Sequence, residues 1–198
     1  MAGAKKQKSH PLFFDGAGKV AGATYGMLRS NFRGQMNTAT NYVASKLAVA
    51  DPTSPTWSVG RSHYDVVIPD AAPSLWWDPQ ALWRAFDAGS LAHQRDLIVA
   101  LTCYADDALS LHAGWEQTRA WARAELVEKR ALAATIVLHI PSLAGSSNTP
   151  HVHVLATARQ VLGWGFGPFA AETTDEGLKE LAISLTEHRK RWAKGERS

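Results

Sequence analysis

Asn148-Thr149-Pro150-His151-Val152-His153-Val154-Leu155 alternates imidazoles with valines. On a strand, successive side chains point to opposite faces, so His151 and His153 share one face and Val152 and Val154 the other. Upstream lies a second apolar run, Thr135 to Ile140 (TIVLHI), joined to the first by a Gly/Ser/Asn-rich loop. If the two runs pair as neighbours, His139 reaches the face of His151 and His153 near the same end. Two histidines two residues apart are also compatible with the solvated face of a half-exposed strand. Three converging imidazoles that leave coordination positions open form a catalytic metal site rather than a sealed structural one. His63, His93, His112 and His188 have no such partners in the sequence and read as surface or satisfied histidines.

Outward from this pair, the other elements follow from periodicity and punctuation. Asp96 to Tyr104 (DLIVALTCY) has the composition of a central strand, as do Ala23 to Ser30 and His63 to Ile68, the last stopped by Pro69. Gln35 to Leu47 holds no proline and reads as a helix; Asp51-Pro-Thr-Ser-Pro is a loop. Asp78-Pro79 is an acceptor side chain followed by proline, a helix opening that should carry to about Ala88. Leu111, Trp115, Thr118, Ala122 and Leu126 form one apolar stripe, predicting a helix from about Leu109 to Arg130, with Glu125 and Lys129 paired on its outer side. An amphipathic helix from Asp175 to Ala193 closes the pattern. The order is strand, helix, strand, helix, strand, helix, strand, strand, helix, a mixed α/β sheet layered with helices. Residues 1–22 are expected to form a basic flexible lead, residues 23–193 one domain, and residues 194–198 a basic tail.

The chain has 198 residues, 45% hydrophobic and 20% charged, enough for one core without disulfides. Its single cysteine, Cys103, excludes an internal disulfide and makes a reducing cytoplasm the expected compartment. The longest charge-free stretch, Ala131 to Ala158, is broken by Pro141, Gly145, Asn148 and Pro150, so no membrane segment is expected. The formal net charge is +3, with Lys5, Lys6 and Lys8 at one end and Arg189, Lys190, Arg191, Lys194 and Arg197 at the other. Basic ends on a slightly acidic body suit a polyanion, although solvated tails have the same composition.

Three stretches resemble the MobA/MobL relaxases, plasmid mobilisation enzymes of the HUH endonuclease class. Arg33 to Tyr42 (RGQMNTATNY) is similar to the small-residue helix ending in the family's nucleophilic tyrosine. Arg61 to Pro73 with Asp78 to Phe86 resembles its strand, proline turn and Leu-Trp helix. His139 to Arg159 (HIPSLAGSSNTPHVHVLATAR) resembles its metal motif, and Gly165-Phe-Gly167 also fits. Pro141 stands where the family often has an acidic residue, and Thr149 separates Asn148 from Pro150.

The resemblance implies a fold: an α/β (α+β) domain with a central, mainly antiparallel sheet flanked by helices. It also implies a chemistry. Tyr42 would attack a phosphodiester of single-stranded plasmid DNA at a transfer origin, leaving a 5′-phosphotyrosine. His139, His151 and His153 would hold a divalent ion, Mg²⁺ or Mn²⁺ first and Zn²⁺ as the alternative. Arg33, Lys46 and Arg159 become candidate DNA contacts, and accessory relaxosome proteins candidate partners. Two alternatives stand beside it: a relaxase-like DNA-binding protein without cleavage, and an HUH-class replication initiator. A third is a three-histidine metalloenzyme acting on a small molecule. Tyr25, an alternative nucleophile, and Tyr64 and Tyr104 read as strand residues. Trp115 and Trp121 read as core, and Cys103 as buried and inert. For Trp76, Trp77 and Trp164, core packing and base stacking stay open.

Overall fold

Both faces of the sheet are covered, which is why its inner strands read as near-continuous apolar runs. The computed structural model describes residues 13–32, 34–48, 63–104, 109–144, 147–163 and 165–196. The first half holds strands β1 (Phe13–Val20), β2 (Ala23–Arg29), β3 (Asn31–Phe32) and β4 (Gln35–Met36), helix α1 (Ala39–Leu47), β5 (His63–Val67) and helix α2 (Pro79–Ala88). The second holds β6 (Asp96–Tyr104), helix α3 (Leu111–Ala122), β7 (Ala134–His139), β8 (His151–Thr157), β9 (Arg159–Leu162), β10 (Gly165–Phe169) and helix α4 (Asp175–Ala193). The main sheet runs β1-β2-β6-β8-β7-β5 with every neighbouring pair antiparallel, as the resemblance implied. The chain thus forms an α/β domain around a six-stranded antiparallel sheet flanked by helices.

The period of two sorts the strands onto two cores. Val99, Leu101, Ile136, Val152 and Val154 face Trp115 and Trp121 of α3 and Leu178, Leu181 and Leu185 of α4. Ile98, Ala100, Val137 and Leu155 face Tyr42, Val43 and Leu47 of α1 and Leu82, Trp83 and Phe86 of α2. Trp83, fully buried, also donates its indole N–H to Thr135 Oγ1 at 2.8 Å, so α2 is pinned to β7 without a stranded polar group. No helix among the described residues is long and apolar enough to cross a membrane.

Four expectations are corrected. The lead does not reach residue 22, because Phe13–Val20 pairs with β2; Gly18 sits under the Tyr25 ring, where a Cβ would lie 2.0 Å from the phenol oxygen. Helix α1 starts at Ala39 rather than Gln35. Gln35 and Met36 pair with Phe32 and Asn31, and Thr38 caps the helix by accepting from Asn41 N–H at 3.1 Å. The helix expected to reach Arg130 is α-helical only to Ala122, then widens into a π-turn over Arg123–Glu128, and Ala131 leaves it at φ +54°. Glu125 is therefore buried rather than outward. It accepts from both Lys129 and Arg130, and Arg130 also bonds Glu172. The Asp51–Pro55 loop lies outside the described residues.

The N-terminus of α1 is tied to α2 by a single carboxylate. Asp87 of α2 accepts from the backbone N–H groups of Ala39 and Thr40, each at 2.9 Å, satisfying donors that a helix N-terminus leaves free. Asp87→Ala should lower unfolding free energy by roughly 1–3 kcal/mol, the range for hydrogen bonds to a charged group. Urea titration monitored by tryptophan fluorescence measures this; an unchanged midpoint would show that α1 is held by packing alone.

Candidate metal centre

The strand register assembles the site. His139 lies directly opposite His151 across β7 and β8, and His153 lies opposite Val137 two pairs further along. On the other side of β8, Tyr104 is opposite His151 and Thr102 opposite His153. Cross-strand partners point to the same face, here the one covered by α1. The three histidine rings stand edge to face, with centroids 5.3 Å apart for His139 and His151, 4.7 Å for His139 and His153, and 4.8 Å for His151 and His153. Their candidate ligand atoms all lie within 4.8 Å of one another, so the three could bind one metal ion. His139 and His153 are buried while His151 is half-buried, so the cluster is open on the His151 side.

Each ring is oriented by a second bond. His139 Nε2–H donates to the backbone carbonyl of Lys46 at 2.7 Å, which leaves Nδ1 with the lone pair. His151 Nδ1–H donates to the Thr149 carbonyl at 2.9 Å and leaves Nε2. His153 Nδ1 is 3.0 Å from Thr102 Oγ1, and a donor role there leaves its Nε2 as well. The Lys46 carbonyl fixes the orientation of the His139 ring. It is free to accept because α1 ends at Leu47.

Burial sets the charge states. It lowers the His139 imidazole to about 4, against the opposing pull of its bond to Lys46. It takes His153 well below the ordinary histidine value, with Lys46 and His139 adding to the effect. Neutral imidazole is the form that binds metal and preserves the ion's full charge. Burial also lowers the Lys46 ammonium and raises the Tyr42 phenol above its usual value. Tyr42 is 2% exposed, and Lys46 Nζ sits 5.3 Å from the centre of its ring.

The fold therefore brings Tyr42, Lys46, His139, His151 and His153 to one end of one face. Arg159 is not among them. It is buried, and its guanidinium donates to the carbonyls of Gly167, Gly89 and Phe166 at 2.8, 2.8 and 2.6 Å. Those bonds hold the β9–β10 hairpin against α2, so the expected DNA contact is a structural tie. Arg33 and Trp164 lie outside the described residues. Tyr25 packs in the core on the opposite face, away from the histidines. His188, buried, bonds the Gln117 carbonyl at 3.1 Å, and His63 packs edge-on against Trp115 on the α3 side. Trp115, Trp121 and Cys103 are core residues, the thiol pushed up to about 12 by burial. Trp76 is buried and stacked on Phe166, whereas Trp77 is exposed.

Thr102, Tyr104 and the Lys46 carbonyl had not been anticipated at the site. Thr102 and Tyr104 do alternate along β6, but only the register against β8 places them beside the histidines.

A histidine buried neutral contributes stability above its unfolded-state pKa, and that stability is lost as pH falls toward the depressed folded value. The metal-free protein should accordingly lose stability from about pH 6.5 down to about 4, where His139 takes up its proton. His139→Gln, which keeps a donor for Lys46 but cannot protonate, should show a shallower decline over that window. Denaturant midpoints at stepped pH give the slope for both proteins, and equal slopes would remove His139 from the account.

Residues 56–197 match the model of the MobA/MobL family, a span that contains the three histidines and excludes Tyr42. A solved structure described as "Molecular Basis of Vancomycin Resistance Transfer in Staphylococcus aureus" superposes with a TM-score of 0.63. It covers 85% of this chain and 92% of its own, at 13% identity, and so speaks for the fold. No curated protein matches the sequence significantly.

Proposed function

The chain belongs to the MobA/MobL family, and from that premise we propose that it is a plasmid mobilisation relaxase that nicks and rejoins single-stranded DNA at a transfer origin. The observation that carries this reading is the cluster of His139, His151 and His153, close enough to hold one ion, oriented and open on one side, at the end of the helix that bears Tyr42. A divalent ion held there would supply positive charge to the scissile phosphate as charge builds on its oxygens. Three imidazoles favour Zn²⁺ among these ions, whereas Mg²⁺ and Mn²⁺, which prefer oxygen ligands, would rely more on the phosphate and water oxygens completing the shell.

The protein's own residues perform the rest. Tyr42 oxygen bonds to phosphorus as the bond to the 3′-oxygen of the preceding nucleotide breaks, and the phenol proton ends on that 3′-oxygen. The products are a 5′-phosphotyrosine and a free 3′-hydroxyl; reversal rejoins the strand. Lys46, partly desolvated beside the Tyr42 ring, would pair with the incoming phosphate, which would return its charge to a favourable setting. The buried phenol stays protonated in the resting protein. The natural setting of this chemistry is the cytoplasm, with accessory relaxosome proteins as partners.

A second reading has an observation of its own. Tyr42 is almost fully buried and lies outside the residues that match the family model. That favours a protein that binds origin DNA without cutting it. Incubation with labelled single-stranded fragments of its own plasmid and Mn²⁺ separates the two. Tyr42→Phe should abolish a protein-linked strand while leaving DNA binding near wild type, and His151→Ala and His153→Ala should abolish it together with metal binding measured by calorimetry. Binding with no adduct in the wild type would select the second reading.

The basic end makes a separate contribution. Arg189 belongs to α4 and donates to the carbonyls of Gly22 and Tyr104, so it is part of the fold rather than a free tail. Lys190, Arg191 and Lys194 are exposed. Replacing these three by Gln should flatten the slope of log affinity against log salt by up to about 2, at about 0.7 per phosphate on a single strand. The effect should be equal for origin and random DNA, because phosphate contacts do not read bases. An unchanged slope would place these charges away from the DNA.

A further inference from the structure

Tyr104 differs from the other tyrosines of the described sheet. Tyr25 is buried on the α3 and α4 face, and Tyr64 is half-buried against the α1 and α2 core. Tyr104, the last residue of β6, is 39% exposed, and its ring centre lies 6.1 Å from that of His151. Register puts it on the histidine face, beside the ligand that is open to solvent. The backbone beneath it is held at both polar groups. Its N–H donates to the Gly22 carbonyl at 2.9 Å, and its own carbonyl accepts from Arg189 at 3.1 Å. An aromatic ring on a fixed backbone, exposed at the rim of a metal centre, has little to do for the core.

We infer that Tyr104 is the stacking platform for the base attached next to the scissile phosphate. The inference rests on the reading of the three histidines as the place where a DNA phosphate sits. A phosphate at that centre has its bases one sugar away, and on the His151 side that position is bordered by the Tyr104 ring. Stacking on an aromatic face is tolerant of base identity, so the platform would position the strand without selecting its sequence. Its exposed ring replaces the base-base stacking that a nucleotide loses when the strand is drawn over the centre. The hydroxyl has no part in this role; the ring does.

The test compares oligo-dT with an oligomer of equal length that is wholly abasic, which keeps the phosphates and sugars and lacks the bases. Tyr104→Ala should weaken oligo-dT binding by roughly 5- to 150-fold, the span reported for one aromatic-base stack. It should leave the abasic oligomer and Mn²⁺ affinity unchanged. Tyr104→Phe, which retains the ring, should bind oligo-dT as the wild type does and form the same covalent adduct. Equal loss for both oligomers would overturn the inference, because damage to the fold or to phosphate contacts does not distinguish them. Unchanged oligo-dT affinity in Tyr104→Ala would overturn it as well. So would loss of the adduct in Tyr104→Phe, since the hydroxyl would then be the reacting group. A base-dependent loss in Tyr104→Ala, found in a protein that forms no adduct at all, supports the platform and removes only the cleavage reading.

Discussion

The hydrogen bond from His139 to the Lys46 carbonyl joins the two halves of the site. One partner is the last residue of β7, the other lies in the last turn of the helix that carries Tyr42. A helix end leaves carbonyls without intrahelical partners, and a buried imidazole needs an acceptor for its N–H. Each deficit answers the other. The consequence is geometric: the tautomer of His139 is set, its Nδ1 keeps the lone pair, and α1 cannot shift along the sheet without breaking the bond. The tyrosine and the histidine cluster, far apart in sequence, are held as one unit.

Burial is what makes that unit chemically distinctive. The same desolvation that depresses His139 and His153 also lowers Lys46 and raises Tyr42. Those four groups are pushed toward their neutral forms, so a metal ion and a phosphate would enter a place with little compensating charge already present. Their mutual attraction is worth more there than in water. The cost is a site whose groups are poorly served until the ligands arrive. The Asp87 carboxylate at the other end of α1 and the packing of Val43 and Leu47 hold the helix in position meanwhile.

The opposite face serves a different purpose. Tyr25, Trp115, Trp121 and the α4 leucines form an apolar layer, in which Trp121 bonds Ser184 and His188 bonds the Gln117 carbonyl. The π-turn belongs to this side, where it buries Glu125 against Arg130 and links α3 to the segment before α4. A buried ionic network of this kind contributes less to net stability than to geometry, because desolvation offsets most of the attraction. With α3 and α4 anchored, β6 and β8 keep their register, and the histidines on the far face keep theirs.

How much of this was legible in the sequence varies with the range of the interaction. Strand β6, the opening of α2 at Asp78-Pro79 and the span of α4 follow from local signals: an apolar run, a capping residue and an amphipathic period. The shared face of His151 and His153 follows from the two-residue period of a strand. Residues whose role depends on a distant partner were read differently. Arg159 looks like a phosphate contact until three carbonyls from two other elements are seen around it, and Phe13 to Val20 looks like a lead until β2 is seen beside it. Tyr104 has the composition of any strand residue, and only its register opposite His151 sets it at the rim of the centre. The sequence by itself determined most of the main strands and helices and the shared face of His151 and His153, because periodicity and capping act over a few residues. Only the tertiary structure decided which carbonyl orients His139, which arginine is spent inside the fold and which tyrosine faces the solvent, because pairing register and burial are properties of segments that meet in space.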